Sequence, residues 1–198
     1  VALIEYLKSK DIKYIVAPYE ADAQLAYLAR NGIVDLVITI DSDLICYKSP
    51  VTLFKLDKEG NVDVIKYNEV LEFTGLTEQQ FTHLGVLCSD VYCKHIKMMG
   101  IKTCVQLMHE LGDGHKIIDY CLSKPKFTVP PNYKEDFDKA VLTFTHQRAY
   151  DPRSKTLVCL EPTDLNDPCI GPVIDNETLM KIVDGRINPF SVNKVSSK

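Results

Sequence analysis

Ala17-Pro18-Tyr19-Glu20-Ala21-Asp22-Ala23-Gln24, followed by Ile40-Asp41-Ser42-Asp43, decides the fold. Each stretch ends an apolar run, residues 13–17 in the first case and 34–40 in the second. Pro18 stops the first run. Residues 20–31 then place Ala21, Leu25 and Leu28 at helical spacing, and Asn31-Gly32 closes the helix. Strand, helix, strand at this spacing predicts a βαβ unit. The near-continuous apolar run at 34–40 predicts a parallel strand covered on both faces.

Outward from that unit, residues 51–56 and 62–65 flank Asp57-Lys58-Glu59-Gly60-Asn61, which predicts a hairpin. Asn68 is expected to cap a helix through Phe73. Thr77, three residues before Gln80, has capping-box spacing for a helix running into Val86-Leu87-Cys88. Beyond about residue 94 the texture changes to short helices, predicted at 101–111, 115–122 and 134–147, with Pro125, Pro130 and Pro131 between them. Residues 156–160 read as a short strand, 175–184 as a last helix and 191–198 as frayed. Val1 to Lys8 reads as the last turns of an amphipathic helix, so the chain is expected to begin inside a fold.

The chain has 198 residues, a net charge of -4 and an apolar fraction of 45%, ordinary for a globular protein. No run approaches the roughly 20 apolar residues of a membrane span, and no secretory signal is visible. The seven cysteines are odd in number and form no CxxC pair; most lie in apolar contexts, which predicts free core thiols in a reducing compartment. The acidic balance argues against nucleic-acid binding, but the average hides a division. Acidic groups concentrate at 20–43 and 57–78, while 94–126 carries Lys94, His95, Lys97, Lys102, Lys116, Lys124 and Lys126. An acidic metal centre beside a basic face gives this pattern; so does a solvated surface of uneven charge.

Glu20 and Asp22 follow the first predicted strand, and Asp41 and Asp43 the second. Strand C-termini of a parallel sheet converge on one edge, so all four carboxylates are expected at one rim. Like charges there repel unless a cation neutralises them. Hard oxygen ligands select Mg²⁺ or Mn²⁺, and phosphoryl transfer is the matching chemistry. The alternative for Glu20 or Asp22 singly is a helix cap or dipole partner. Ser42 has no evident histidine partner, and no G-x-S-x-G elbow is present.

The chain resembles the flap endonuclease/XPG family of structure-specific 5′ nucleases, in the branch with 5′→3′ exonuclease as well as flap activity. The matching segments are Val16-Ala17-Pro18-Tyr19-Glu20-Ala21-Asp22-Ala23-Gln24-Leu25-Ala26-Tyr27-Leu28 and Thr39-Ile40-Asp41-Ser42-Asp43-Leu44. The likeness continues through Gly85-Val86-Leu87-Cys88, Phe127 to Tyr133 and Phe144-Thr145-His146-Gln147. It implies a PIN-like α/β parallel-sheet fragment over residues 1–93, then an all-helical region with a helix–two-turn–helix over 94–198. It also implies two Mg²⁺ ions, replaceable by Mn²⁺, held by Glu20, Asp22, Asp41 and Asp43 as catalytic ligands. The implied partner is double-stranded DNA with a 5′ end, nick, gap or flap, in repair and replication, with repair proteins as further partners. A nuclear location and no membrane association complete the expectation.

Three departures stand out. The family's Gly-x-Asp-Tyr reads Cys88-Ser89-Asp90-Val91-Tyr92 here, so Asp90 lies one residue early. On a helix that rotates a side chain by about 100°; Asp90 is assigned the role of a displaced ligand. In the helix–two-turn–helix, Lys97-Met98-Met99-Gly100-Ile101-Lys102 puts Met98 where the family has its first glycine. A methionine at φ > 0 is strained, unless Met98 and Met99 are simply core residues. Lys94, Lys97, Gly100 and Lys102 are the expected phosphate contacts, with a K⁺ ion at the turn. Last, the family's first half does not precede Val1, and catalysis is expected to need it. Two other readings stay open: a nuclease-like domain that has lost catalysis and binds nucleic acid or protein, and an unrelated α/β metal phosphatase.

Overall fold

Alanine sets the packing of the central helix. In α2 (Ala21–Arg30), Ala23, Ala26 and Ala29 share the buried side with Tyr27 and Leu28. Their small side chains let the helix lie close to its neighbours; each buried leucine, such as Leu28 and, across the interface, Leu44, contributes about 2 kcal/mol. Gln24, also buried, fixes the helix along its axis. Its Nε2 donates to the Tyr150 carbonyl and its Oε1 accepts from the Tyr150 N–H, both at 2.8 Å. The helix ends where Asn31 Nδ2 donates to the Tyr27 carbonyl and Gly32 takes φ 63.

The computed structural model describes residues 2–89 and 91–193. Helix α1 (Ala2–Ser9) precedes α2. A three-stranded sheet follows: β1 (Val37–Thr39) runs parallel to β2 (Val51–Phe54), and β3 (Asp63–Lys66) is antiparallel to β2. The short helix α3 (Asp43–Cys46) makes the β1–β2 crossover. Next come α4 (Tyr67–Thr74) and α5 (Glu78–Cys88), the latter opened by the expected capping box: Thr77 Oγ1 accepts from Gln80 N–H while Gln80 Oε1 accepts from Thr77 N–H.

Helices α6 (Ile101–Leu111), α7 (Gly114–Leu122) and α8 (Tyr133–His146) form the helical part, all within two residues of the expected bounds. An antiparallel hairpin, β4 (Arg148–Asp151) and β5 (Thr156–Cys159), then α9 (Asn176–Val183) and α10 (Pro189–Asn193) complete the described chain. The expected frayed end is helical through Asn193; residues 194–198 lie outside the described residues. One apolar core, including Leu44, Leu87, Ile96, Met99, Met108, Ile117, Phe137 and Phe144, runs from the sheet into the helices. Gly85 permits this: a Cβ there would meet Cys46 Sγ at 2.3 Å, so α5 rests directly on α3.

The structure corrects three expectations. Residues 13–17 do not form a strand. Val16 N–H bonds the Val183 carbonyl at the end of α9 (3.1 Å), and among the described residues no sheet partner lies beside it, so the expected first strand of the βαβ unit is not formed there. β1 is shorter than 34–40 and bare on one face, with Ile38 55% and Ile40 81% exposed. Its edge opposite β2 has no partner among the described residues, so the apolar run has nothing to cover it. Third, α4 starts at Tyr67 after Lys66, and Asn68 sits inside the first turn without capping it.

Candidate metal centre and nucleic-acid face

Glu20 and Asp22 stand at the N-terminal end of α2. Glu20 occupies the N-cap position with extended backbone, yet makes no side-chain cap bond, so its carboxylate is not used in closing the helix. Asp22 lies in the first turn, where the helix dipole favours a negative charge. Asp41 and Asp43 come from the turn leaving β1. Asp41 N–H donates to Thr39 Oγ1 and Asp41 Oδ1 accepts from Asp43 N–H, both at 3.0 Å, which winds the chain straight into α3.

The two pairs share one electrostatic environment. Partial burial, followed by the charges of Asp41, Asp43 and Glu20, pushes the Asp22 carboxyl up to about 6. Burial and Asp41 likewise raise Asp43. Burial, with the three like charges adding to it, outweighs the backbone hydrogen bond that favours the ionised form, because the net shift is upward. The side chains do not close into a finished shell: among the described residues no group of three or more Asp, Glu, His or Cys is drawn together as metal ligands. The donor chemistry still fits a hard divalent cation, since four carboxylates repel one another at a single rim and supply only oxygen. A thiol ligand is disfavoured, because burial and then Asp43 push Cys46 up to about 12. Asp90 lies outside the described residues. Its neighbour Val91 is solvent-exposed, and its N–H donates to Ser89 Oγ (3.1 Å).

Behind the rim sits a network that the sequence did not announce. Tyr47 Oη donates to Gln147 Oε1 (2.8 Å) and lies 2.7 Å from Tyr92 Oη, and both rings pack against Phe144. Burial pushes Tyr92 up to about 12, with Glu20, Asp43 and Asp22 adding to the rise. Tyr47 is raised by burial and Tyr92, then by Glu20 and Asp22. The carboxylates are thus close enough to be felt by both hydroxyls, which remain neutral donors.

The expected DNA contacts gather on the segment between α5 and α6. Ile96 and Met99 are buried and anchor it, and the backbones of Lys97 and Thr128 bond each other in both directions (3.1 and 3.4 Å). Between the anchors, Lys97 and Met98 face solvent. Met98 is 72% exposed and takes φ 67, so it occupies the glycine-type conformation; core packing holds for Met99 and fails for Met98. Gly100 is the N-cap of α6 with no side-chain cap, leaving first-turn N–H groups free for an anion, and Lys102 stands exposed in that turn. Lys94 is exposed a few residues earlier. No hydrogen bond or ion pair among the described residues brings these lysines to the carboxylate rim.

This fold, a small mixed sheet carrying acidic turns with helices packed beside it, is the PIN-like core of the 5′ nucleases. The flap endonuclease-1 from Methanococcus jannaschii superposes over 96% of this chain and 53% of its own, with a TM-score of 0.60 at 22% identity. The Holliday junction-resolving enzyme GEN1, solved with product DNA and Mg²⁺, matches 70% of this chain and 40% of its own at 25% identity and a TM-score of 0.56. Residues 11–90 match the XPG I-region family. Exodeoxyribonuclease 1 of Schizosaccharomyces pombe is 34% identical over 198 residues, covering 96% of this chain. The chain is thus similar to exonuclease 1 relatives over nearly its whole length and to the XPG I-region over residues 11–90. It spans about a third of the length of that yeast relative, 35%.

Proposed function

We propose that this chain is the C-terminal part of a nuclease core (1–93) joined to a helical DNA-binding region (94–198) of a Mg²⁺-dependent 5′→3′ DNA exonuclease and 5′ flap endonuclease. The substrate is duplex DNA with a 5′ end, nick, gap or flap, in nuclear repair and replication. The observation that carries the reading is the meeting of Glu20 and Asp22, at the start of α2, with Asp41 and Asp43 of the turn after β1: burial first, then the charges of Asp41, Asp43 and Glu20, opposes ionisation of Asp22. Such a rim gains most from a divalent cation.

Glu20, Asp22, Asp41 and Asp43 would hold two ions, Mg²⁺ or Mn²⁺, with Asp90 as the expected further ligand. Bound there, the ions supply Lewis-acid stabilisation of phosphodiester oxygens and lower the pKa of water for in-line attack, giving a 3′-hydroxyl and a 5′-phosphate. The chain's own residues set the geometry. Tyr47, Tyr92 and Gln147 brace the rim from behind. Lys97, Lys102 and the free amides after Gly100 grip backbone phosphates without reading bases, and a K⁺ ion at the 97–100 turn fits the same role.

The open spacing of the carboxylates supports a second reading, a nuclease-like domain that binds DNA without cutting it. Calorimetric titration with Mn²⁺ separates the two: saturable binding that Asp22→Asn and Asp41→Asn both weaken supports the nuclease, and tight DNA binding with no metal uptake supports the second reading. Digestion of a 5′-labelled flap by the full-length protein, lost in Asp41→Asn, completes the test.

A further inference from the structure

The most unusual polar site outside the rim lies at the other end of α2. Arg30 is the last residue of that helix, about 15 Å along the axis from Glu20. Its Nη1 and the hydroxyl of Tyr67 are both buried without a hydrogen-bond partner among the described residues. Tyr67 is only 5% exposed. Both residues line one cleft of about 650 Å³, together with Lys48, Lys66 and Glu78. Leaving a buried donor unpaired costs about 1–3 kcal/mol, so two at one place form a standing demand for an acceptor.

The surroundings fit an oxyanion. Lys48 takes φ 61, a conformation that non-glycine residues seldom adopt, and its side chain is largely buried; Nζ lies 2.7 Å from Glu161 and 3.1 Å from Glu78. Lys66 pairs with Glu69 on the same wall. Glu69 and Glu78 are more than half exposed and are free to turn outward, whereas Glu161 holds Arg30 through Nη2 (3.6 Å) as well as Lys48, leaving Arg30 Nη1 and the buried Tyr67 hydroxyl unpaired. Burial, then Glu78, keeps the tyrosine protonated, so it presents a donor. Donors arrive from the end of α2, the turn after α3 and the β3–α4 junction, and so from three directions. A tetrahedral ligand with several oxygens meets such a set better than a planar carboxylate.

We propose that this cleft binds a phosphate group through Arg30, Lys48 and Tyr67. The site is independent of the carboxylate rim and stands whether or not that rim is catalytic. The group belongs either to a nucleic-acid backbone or to a free phosphate.

The test is calorimetric titration of inorganic phosphate into the full chain in chloride-matched buffer, repeated with Tyr67→Phe and Lys48→Gly. Tyr67→Phe removes a hydroxyl that the fold does not use, and Lys48→Gly relieves a left-handed backbone, so unfolding curves recorded alongside monitor each variant. Saturable binding that each substitution weakens by about tenfold or more supports the site. Displacement of phosphate by a short duplex then assigns the group to DNA, and no displacement assigns it to a free phosphate. Absence of saturation up to about 10 mM phosphate, or an affinity unchanged by Tyr67→Phe, overturns the proposal.

Discussion

Tyr47 and Tyr92 meet hydroxyl to hydroxyl at 2.7 Å across 45 residues of chain, directly behind the four acidic side chains. Tyr47 donates onward to Gln147, so Tyr92 is the donor in the tyrosine pair. The pair links the α3 turn to the segment entering the helical region. It therefore joins the acidic half of the molecule to the basic half.

Tyr47→Phe removes the middle of this relay and leaves Gln147 Oε1 buried without its donor. Stability should fall by about 1–3 kcal/mol, read from urea unfolding. Tyr92→Phe, at the end of the relay, should cost less. Equal losses would mean that the order of donation is wrong.

Asp22→Asn removes one of four repelling charges. Because Asp22 is partly exposed, solvent screening reduces the gain, and the variant should be more stable by about 1 kcal/mol in EDTA. With Mn²⁺ present the order should reverse, the parent chain being stabilised and the variant not. Thermal unfolding in the two buffers checks both halves of this statement.

His83 provides a pH dependence. It is buried; burial lowers its pKa, opposed by Asp113 at 3.7 Å, with His115 lowering it further. Its Nδ1 accepts from Gly114 N–H (3.1 Å), so the neutral form is the one that fits. Between the lowered folded value and the ordinary 6.5, the unfolded chain binds more protons, so stability rises with pH through that window and is lost on acidification below about 6.5. His83→Gln keeps an acceptor and removes the titration. Unfolding free energies from pH 5 to 7.5 should slope upward in the parent and flatten in the variant.

Met98→Gly should relieve the left-handed backbone without losing packing, since the side chain is exposed. A gain of about 1 kcal/mol corresponds to roughly 2–4 °C in melting temperature for a chain of this size. Lys97→Ala with Lys102→Ala acts on the same turn. Duplex affinity should drop, and the slope of log K against log salt should lessen by about 1 per lysine removed. Unchanged affinity would place the DNA face elsewhere.

What the sequence made legible is local chemistry. Thr77 with Gln80 announces the start of α5 because both partners lie within one helical turn. The pairs Glu20/Asp22 and Asp41/Asp43 were readable because each follows an apolar run at a turn. The exposure of Ile38 and Ile40 was not, since an apolar run looks the same whether or not a neighbouring strand covers it. Nor was the missing strand at 13–17, whose residues are β-prone but, among the described residues, bond the end of α9 through Val16 N–H to Val183 and the Tyr14 hydroxyl to the Asp184 carbonyl instead of a neighbouring strand. Tyr47, Tyr92 and Gln147 were hidden for another reason: their meeting is a tertiary event between positions up to 100 apart. Arg30 and Tyr67 are likewise joined only by folding.

Gln24 grips the backbone of Tyr150 from both its donor and its acceptor side. Sliding α2 by even one residue would break both bonds and strand a buried amide, so Glu20 and Asp22 are the stationary jaw of the acidic rim. On the proposed reading, any tightening around a cation falls to the Asp41–Asp43 turn, whose hydrogen bonds are exposed and therefore easily exchanged with water.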